Sequence, residues 1–252
     1  MQHFWGDSLN NIKLTIEYDG SNYHGWQIQP NAVTVQEKIQ KAIYDLTGEN
    51  VKLIGASRTD ESVHAYGQVA NFFTSSNILP YKFSDAINYF LPKDIVIVKS
   101  ESVSNDFHAR YNSKGKKYRY IIYNRAKPSA LWINRAYHVK RNIDISIMKN
   151  AAKILVGEND FSSFRASGGA AKTSIRTIYN IDINVDGNLI YIDISGDGFL
   201  YNMVRIIVGT LVDMATKKID PSIMFDILQA KDRKKAGKTA PPYGLYLMEI
   251  NY

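Results

Sequence analysis

From Phe199 to Thr216 the chain reads as a helix that is apolar on nearly every face, with Leu200, Met203, Val204, Ile206, Ile207, Val208 and Leu211 among its residues. Such a helix has no polar side to turn to water, so it belongs in an interior. No stretch of the chain approaches the roughly 20 consecutive apolar residues that a membrane span needs. The interior must therefore be the protein's own. With 252 residues, 45% of them hydrophobic and 12% aromatic, the chain can bury a sizeable core as one large domain or two closely packed ones. Arg205 is the exception in this segment. Arginine is almost never fully buried without a partner, because an uncompensated interior charge costs several kcal/mol. Either a carboxylate meets Arg205, with Asp60, Asp197 and Asp213 as candidates, or the guanidinium snorkels to the surface.

Strand and helix patterns alternate along the rest. Ile12–Tyr18 alternates apolar and polar, the mark of a half-buried strand. Thr34-Val35-Gln36-Glu37 is a capping box, and behind it Val35, Ile39, Ala42, Ile43 and Leu46 fall on one helical face before Gly48. Val51–Gly55, Gln68–Phe73 and Ile95–Val98 read as strands, and Phe83–Phe90 as a short helix. In the second half Lys116–Tyr123 reads as a strand and Ile145–Val156 as a helix ending at Gly157. Ile178–Val185 and Leu189–Ser195 read as a hairpin over Asp186-Gly187-Asn188. Asp220-Pro221 starts a helix to Ala230, and Leu245–Ile250 is a closing strand. Asn105-Asp106-Phe107 returns as Asn159-Asp160-Phe161, a short echo that fits two α/β halves. The fold class is α+β, an antiparallel or mixed sheet covered by helices, with an N-terminal half over 1–105 and a C-terminal half over 106–252.

Several chemistries drop out early. The chain has no cysteine, which removes disulfides and thiolate nucleophiles and suits a reducing cytoplasm. Met1–Asn10 lacks the basic segment and apolar run of a secretion signal. Gly237-Lys238-Thr239 resembles the end of a phosphate-binding loop, but the glycine due five residues earlier is Asp232. The five histidines have no metal-ligand spacing. What remains is a cofactor-free enzyme that uses a carboxylate. The net charge of +7 favours a polyanionic partner such as nucleic acid.

Gly55–Ala65 gathers small, polar and charged residues directly after a strand, where function tends to sit. Within it Asp60 is either a turn-forming carboxylate or a working one, and Arg58 either solvated or a binding residue. Lys114-Gly115-Lys116-Lys117-Tyr118-Arg119-Tyr120 offers cations for phosphates and tyrosine faces for unstacked bases. On a strand Tyr118 and Tyr120 share one face and Arg119 takes the other. Two core tyrosines beside a solvated basic edge would give the same pattern. Basic clusters at Arg165–Arg176 and Lys231–Lys238 extend a groove or are ordinary surface.

A colinear set of segments resembles the tRNA pseudouridine synthase A family. It comprises Ile16–Gly20, Tyr23–Gln27, Thr34–Glu37, Gly55-Ala56-x-Arg58-Thr59-Asp60-x-x-Val63-His64-Ala65 and Gly67–Val69. It continues through Asp106–Arg110, Tyr118–Tyr120, Gly157–Phe164, Phe199–Arg205 and Gly244–Leu247. The resemblance implies a homodimeric, cofactor-free and metal-free enzyme with two α/β halves and a cleft. Its activity would be isomerisation of uridine to pseudouridine at positions 38, 39 and 40 of the tRNA anticodon stem-loop. It implies Asp60 as the catalytic nucleophile, Tyr118 against the target uracil, Arg58 beside the flipped nucleotide and Arg205 as the arginine that pairs with the aspartate.

The chain departs from that family pattern at Ser57, where glycine is usual, and at Glu61-Ser62, where alanine-glycine is usual. Glycine often marks positive φ, so this loop could be built differently. Glu61 is expected to face outward, since a second carboxylate in the site would raise the pKa of Asp60. A tRNA-binding module of the same fold without chemistry is the alternative these departures leave.

Overall fold

The computed structural model describes residues 9–252, and most of the Met1–Asn10 segment read above lies outside them. In chain order the elements are β1 (Asn10–Tyr18), α1 (Val35–Thr47), β2 (Ile54–Gly55), β3 (His64–Thr74), α2 (Phe83–Asn88) and β4 (Ile95–Val103). They continue with β5 (Gly115–Asn124), β6 (Tyr137–Val139), α3 (Ile145–Lys153), β7 (Gly157–Asp160), β8 (Ile175–Asp186) and β9 (Leu189–Gly196). The last are α4 (Met203–Lys217), α5 (Ile223–Gln229) and β10 (Leu245–Asn251). This is an α+β fold. The chain divides into two compact units, one holding the residues up to Ser113 together with Tyr252, the other Lys114–Asn251.

In the first unit β1 lies between β3 and β4, antiparallel to both, with Ile12 opposite Phe72 on one side and Ser102 on the other. Its alternation works as the sequence implies: Ile12, Leu14, Ile16 and Tyr18 are buried. Helix α1 starts where Thr34 accepts the Glu37 amide and stops at Gly48, whose left-handed φ of 74° ends the helix. The expected strand Val51–Gly55 shrinks to Ile54–Gly55. Val51 and Leu53 are still buried, but the Leu53 carbonyl is taken by the Gln36 side chain at 2.9 Å instead of a neighbouring strand. Strand β3 reaches back to His64, so part of the polar segment read as loop is sheet.

In the second unit β5 lies between β10 and β9, antiparallel to both. The sheet continues through β8 to β7, and the short β6 pairs in parallel with β5. The β8–β9 hairpin turns at Gly187, with φ of 56°. Helix α3 ends at Lys153 rather than Val156, and Gly157 opens β7 instead of only stopping a helix. Helix α5 begins at Ile223, after a turn in which the Asp220 carboxylate accepts the Ser222 amide at 2.8 Å.

The apolar helix is a core helix, as its composition requires. Met203, Ile206, Ile207, Val208 and Leu211 are fully buried. It begins at Met203, not Phe199, because Asn202 takes a left-handed backbone (φ 59°, ψ 8°) that breaks the helical run. Among the described residues no helix is long and apolar enough to cross a membrane.

Candidate active site

The polar loop of the first unit runs from Ala56 to Val63 and is fixed at several backbone points. At its start, Gln68 lies fully buried on β3 and acts as a surrogate peptide. Its Oε1 accepts the Ser57 amide at 3.2 Å and its Nε2 donates to the Ser57 carbonyl at 2.7 Å. In its middle, the Trp26 amide donates to the Thr59 carbonyl at 3.1 Å. Towards its end, the Ser62 amide donates to the Tyr23 carbonyl at 3.2 Å and the Val63 amide to the Asp60 carbonyl at 3.2 Å. Side chains add to this. Tyr18 and Thr59 share a buried hydrogen bond of 2.7 Å between their hydroxyls.

Asp60 is half-buried in this frame, Arg58 is exposed, and Glu61 is exposed as expected. The unusual Ser57 is buried, its backbone pinned by Gln68. The unusual Ser62 has φ of 60°, so the loop keeps the left-handed residue that a glycine would supply and asks a serine to adopt it.

Just beyond the loop, His64 is buried. Its Nδ1 accepts the Gly20 amide at 3.1 Å and lies 3.1 Å from Asp19 Oδ1. A ring nitrogen that accepts an amide proton carries none of its own, so this contact with Asp19 is not an ion pair in that state. Tyr23 donates to Asp94 at 2.6 Å, and its hydroxyl is held well above the usual tyrosine range by burial and by Asp94. Sequence reasoning missed Tyr18 and Gln68. The signal for Gln68 was its core-facing position on an apolar strand, where a buried amide must find partners.

In the second unit Tyr118 and Tyr120 share a face of β5, and both are buried. Tyr118 meets Phe199 edge to face, with centroids 5.3 Å apart. The Tyr120 hydroxyl donates to the Pro241 carbonyl at 2.7 Å, and burial raises its pKa well above the usual value against the opposing charge of Arg205. On the other face Arg119 holds Asp193 with two hydrogen bonds of 2.7 and 2.8 Å. The basic edge read as phosphate-gripping is thus partly spent on a cross-strand ion pair.

Arg205 is the third residue of α4, in its first turn rather than in mid-helix. It is half-buried, with Nε donating to the Ala240 carbonyl at 2.9 Å and one terminal nitrogen to Asn202 Oδ1 at 2.7 Å. A cation at a helix N-terminus opposes the helix dipole by about 0.3–1 kcal/mol, so the position favours an anion beside it. The candidate basic clusters hold their own loops. Arg165 donates to the carbonyls of Gly169 and Ala171, and Arg233 to the Gly237 carbonyl and to Thr239 Oγ1. Gly237-Lys238-Thr239 lies across α4, with the Gly237 amide donating to Thr210 Oγ1 at 2.9 Å and the Ala240 amide to the Arg205 carbonyl at 3.0 Å.

Comparison with known proteins gives a consistent result. The family model described as tRNA pseudouridine synthase matches residues 14–112 and 151–252, spans that contain Arg58, Asp60 and Arg205 and leave Tyr118 between them. The chain is 55% identical over 244 residues to the tRNA pseudouridine synthase A of Acetivibrio thermocellus, covering 97% of this chain and all of that protein. It is likewise 55% identical over 245 residues to the protein of the same name from Ruminiclostridium cellulolyticum, again covering 97% of this chain and all of that one. To tRNA pseudouridine synthase A 2 of Clostridium perfringens it is 52% identical over 244 residues, with 97% and 100% covered.

Proposed function

The chain belongs to the tRNA pseudouridine synthase family, and from that premise we propose that it isomerises uridine to pseudouridine in tRNA, with Asp60 as the nucleophilic carboxylate. The targets in this reading are positions 38, 39 and 40 of the anticodon stem-loop, reached by a homodimer in the cytoplasm. The observation that carries it is the half-buried Asp60 in a loop whose backbone is fastened at Ser57, Thr59 and Ser62. A carboxylate that must meet one ring atom of a nucleotide needs its backbone held in this way.

The reaction requires little else. Uracil is detached from C1′, turned, and rejoined through C5, after which C5 loses a proton. A base inside a stem must first leave its stack, at a cost of roughly a few kcal/mol. Arg58 and Arg205 supply cations for the extruded nucleotide and Tyr118 a ring against the uracil. The carboxylate attacks C1′, adds at C6 or assists loss of the 2′ proton, and all three use the same ionised oxygen. No metal, nucleotide or redox group enters any of them.

Tritium release from tRNA bearing 5-tritiated uridine tests the proposal. Asp60→Asn is expected to abolish release by at least about 10³-fold while leaving the fold and tRNA binding intact. A folded Asp60→Asn protein that turns over near normally overturns the assignment. Wild-type protein that binds tRNA and releases no tritium would instead identify a binding module. Mapping pseudouridine in the tRNA of a strain lacking the protein reports the positions modified.

A further inference from the structure

The geometry points to Tyr18 as a positioning residue for Asp60, acting through Thr59. The inference rests on the reading of Asp60 given above and goes beyond it, because Tyr18 lies 42 residues earlier in the chain, at the end of another strand.

Tyr18 closes β1 with its ring buried at 3% exposure, and Thr59 is buried at 7%. Their hydroxyls lie 2.7 Å apart, a short contact in a dry place. A hydrogen bond in a low-dielectric site is stronger than the same bond in water, and losing one partner strands the other. The bond therefore fixes the side chain that immediately precedes Asp60. The Thr59 carbonyl is fixed too, by the Trp26 amide, so the residue before the carboxylate is held at both its side chain and its backbone.

The approach of these two segments is built into glycine. Gly25 has φ of 89°, and a Cβ placed there would lie 2.6 Å from the Thr59 carbonyl oxygen. Trp26 follows, with its ring centroid 6.1 Å from that of Tyr18 and its indole laid against Gly55, where a Cβ would fall 2.3 Å from the indole nitrogen. The motifs Ile16–Gly20 and Tyr23–Gln27 thus form the bed on which the Arg58-Thr59-Asp60 loop lies. Within that bed the Tyr18 hydroxyl reaches the Thr59 side chain, and it can be removed without disturbing the packing of the ring.

The test is single-turnover tritium release alongside tRNA affinity. Tyr18→Phe is expected to slow the single-turnover rate about tenfold, part of the roughly 10²-fold that a misplacement of about 1 Å costs at a reacting centre, with Kd for tRNA within about twofold of wild type. Thr59→Val should show the same loss, Thr59→Ser should recover most of the rate, and the double variant Tyr18→Phe/Thr59→Val should be no slower than either single one. A wild-type rate in Tyr18→Phe, a loss expressed equally in tRNA affinity, or additive losses in the double variant would overturn the inference. Failure of the Asp60 reading is separately visible, as normal turnover by Asp60→Asn.

Discussion

The backbone amide of Ser62, held at φ of 60°, donates to the carbonyl of Tyr23 at 3.2 Å. A left-handed residue two places after Asp60 is therefore part of how the loop is fastened. A side chain bearing a Cβ is disfavoured in that conformation by roughly 1 kcal/mol, and glycine is not. Ser62→Gly is expected to raise stability by up to about that amount, which is a rise of about 2–4 °C in Tm for a domain of this size. Ser62→Val, branched at Cβ, should lower Tm. Thermal unfolding followed by circular dichroism checks both, and a lower Tm for Ser62→Gly would mean that the serine side chain itself holds the turn.

Arg205 is anchored at two points, Nε on the Ala240 carbonyl and a terminal nitrogen on Asn202. Those bonds set the plane of the guanidinium, which a lysine ammonium cannot reproduce. Arg205→Met is expected to lower the single-turnover rate by about 10- to 100-fold, the scale of one hydrogen bond to a charged group, with a smaller effect on tRNA affinity. Arg205→Lys should recover little of it. Equal losses in rate and affinity accompanied by a large fall in Tm would leave Arg205 with a structural role alone.

Much of this was legible in the sequence because it depended on local pattern. The alternation in β1, the capping by Thr34 with the stop at Gly48, and the interior character of α4 are all properties of neighbouring residues. Other features turned on contacts across many residues. That the Leu53 carbonyl would be claimed by Gln36 shortened an expected strand, and nothing between Val51 and Gly55 announces it. Asn202 is of a type that takes a left-handed backbone more readily than most residues, but that tendency alone does not say that the helix starts after it. The glycine-lysine-threonine run lies across α4, a placement that depends on Gly209 and Thr210 and could not be read from the run itself. Around Asp60, the polar composition marked the loop, whereas Tyr18 is 42 residues away in sequence and Gln68, though close by, looks like an ordinary strand residue.

Arg119 and Asp193 face each other directly across β5 and β9, and Asp193 is also 3.5 Å from Lys117. Burial pushes the Asp193 carboxyl up, but the Arg119 hydrogen bonds and the two positive charges outweigh it and hold the group below its ordinary value. A depressed folded-state pKa contributes stability that is complete above the unfolded value of about 3.9 and is lost as pH falls through the lower folded value. Asp193→Asn should therefore cost about 1.5–3 kcal/mol at neutral pH. The gap between variant and wild type should close as both are taken through the acid range below the ordinary carboxylate pKa. Urea unfolding at neutral and strongly acidic pH measures it. A gap that is the same at both would show that charge is not what Asp193 contributes.

The crossing of Lys238 over α4 depends on Gly209, where an added Cβ would lie 1.8 Å from the Lys238 carbonyl oxygen. No side-chain rotation relieves a clash with backbone, so the strand of chain from Gly237 to Pro241 must lift. Two contacts lift with it: the Ala240 carbonyl that receives Arg205 Nε, and the Pro241 carbonyl that receives the Tyr120 hydroxyl. Gly209→Ala is expected to cost about 1–3 kcal/mol, the usual range for overpacking a filled interior. It should also reduce tritium release by more than the unfolded fraction explains, because it disturbs the support of Arg205. Lys238→Ala removes a side chain and leaves the backbone crossing as it is, so it should retain far more activity than Gly209→Ala. Activity in Gly209→Ala that simply tracks the folded fraction would separate the crossing from the support of Arg205 and leave it a packing feature.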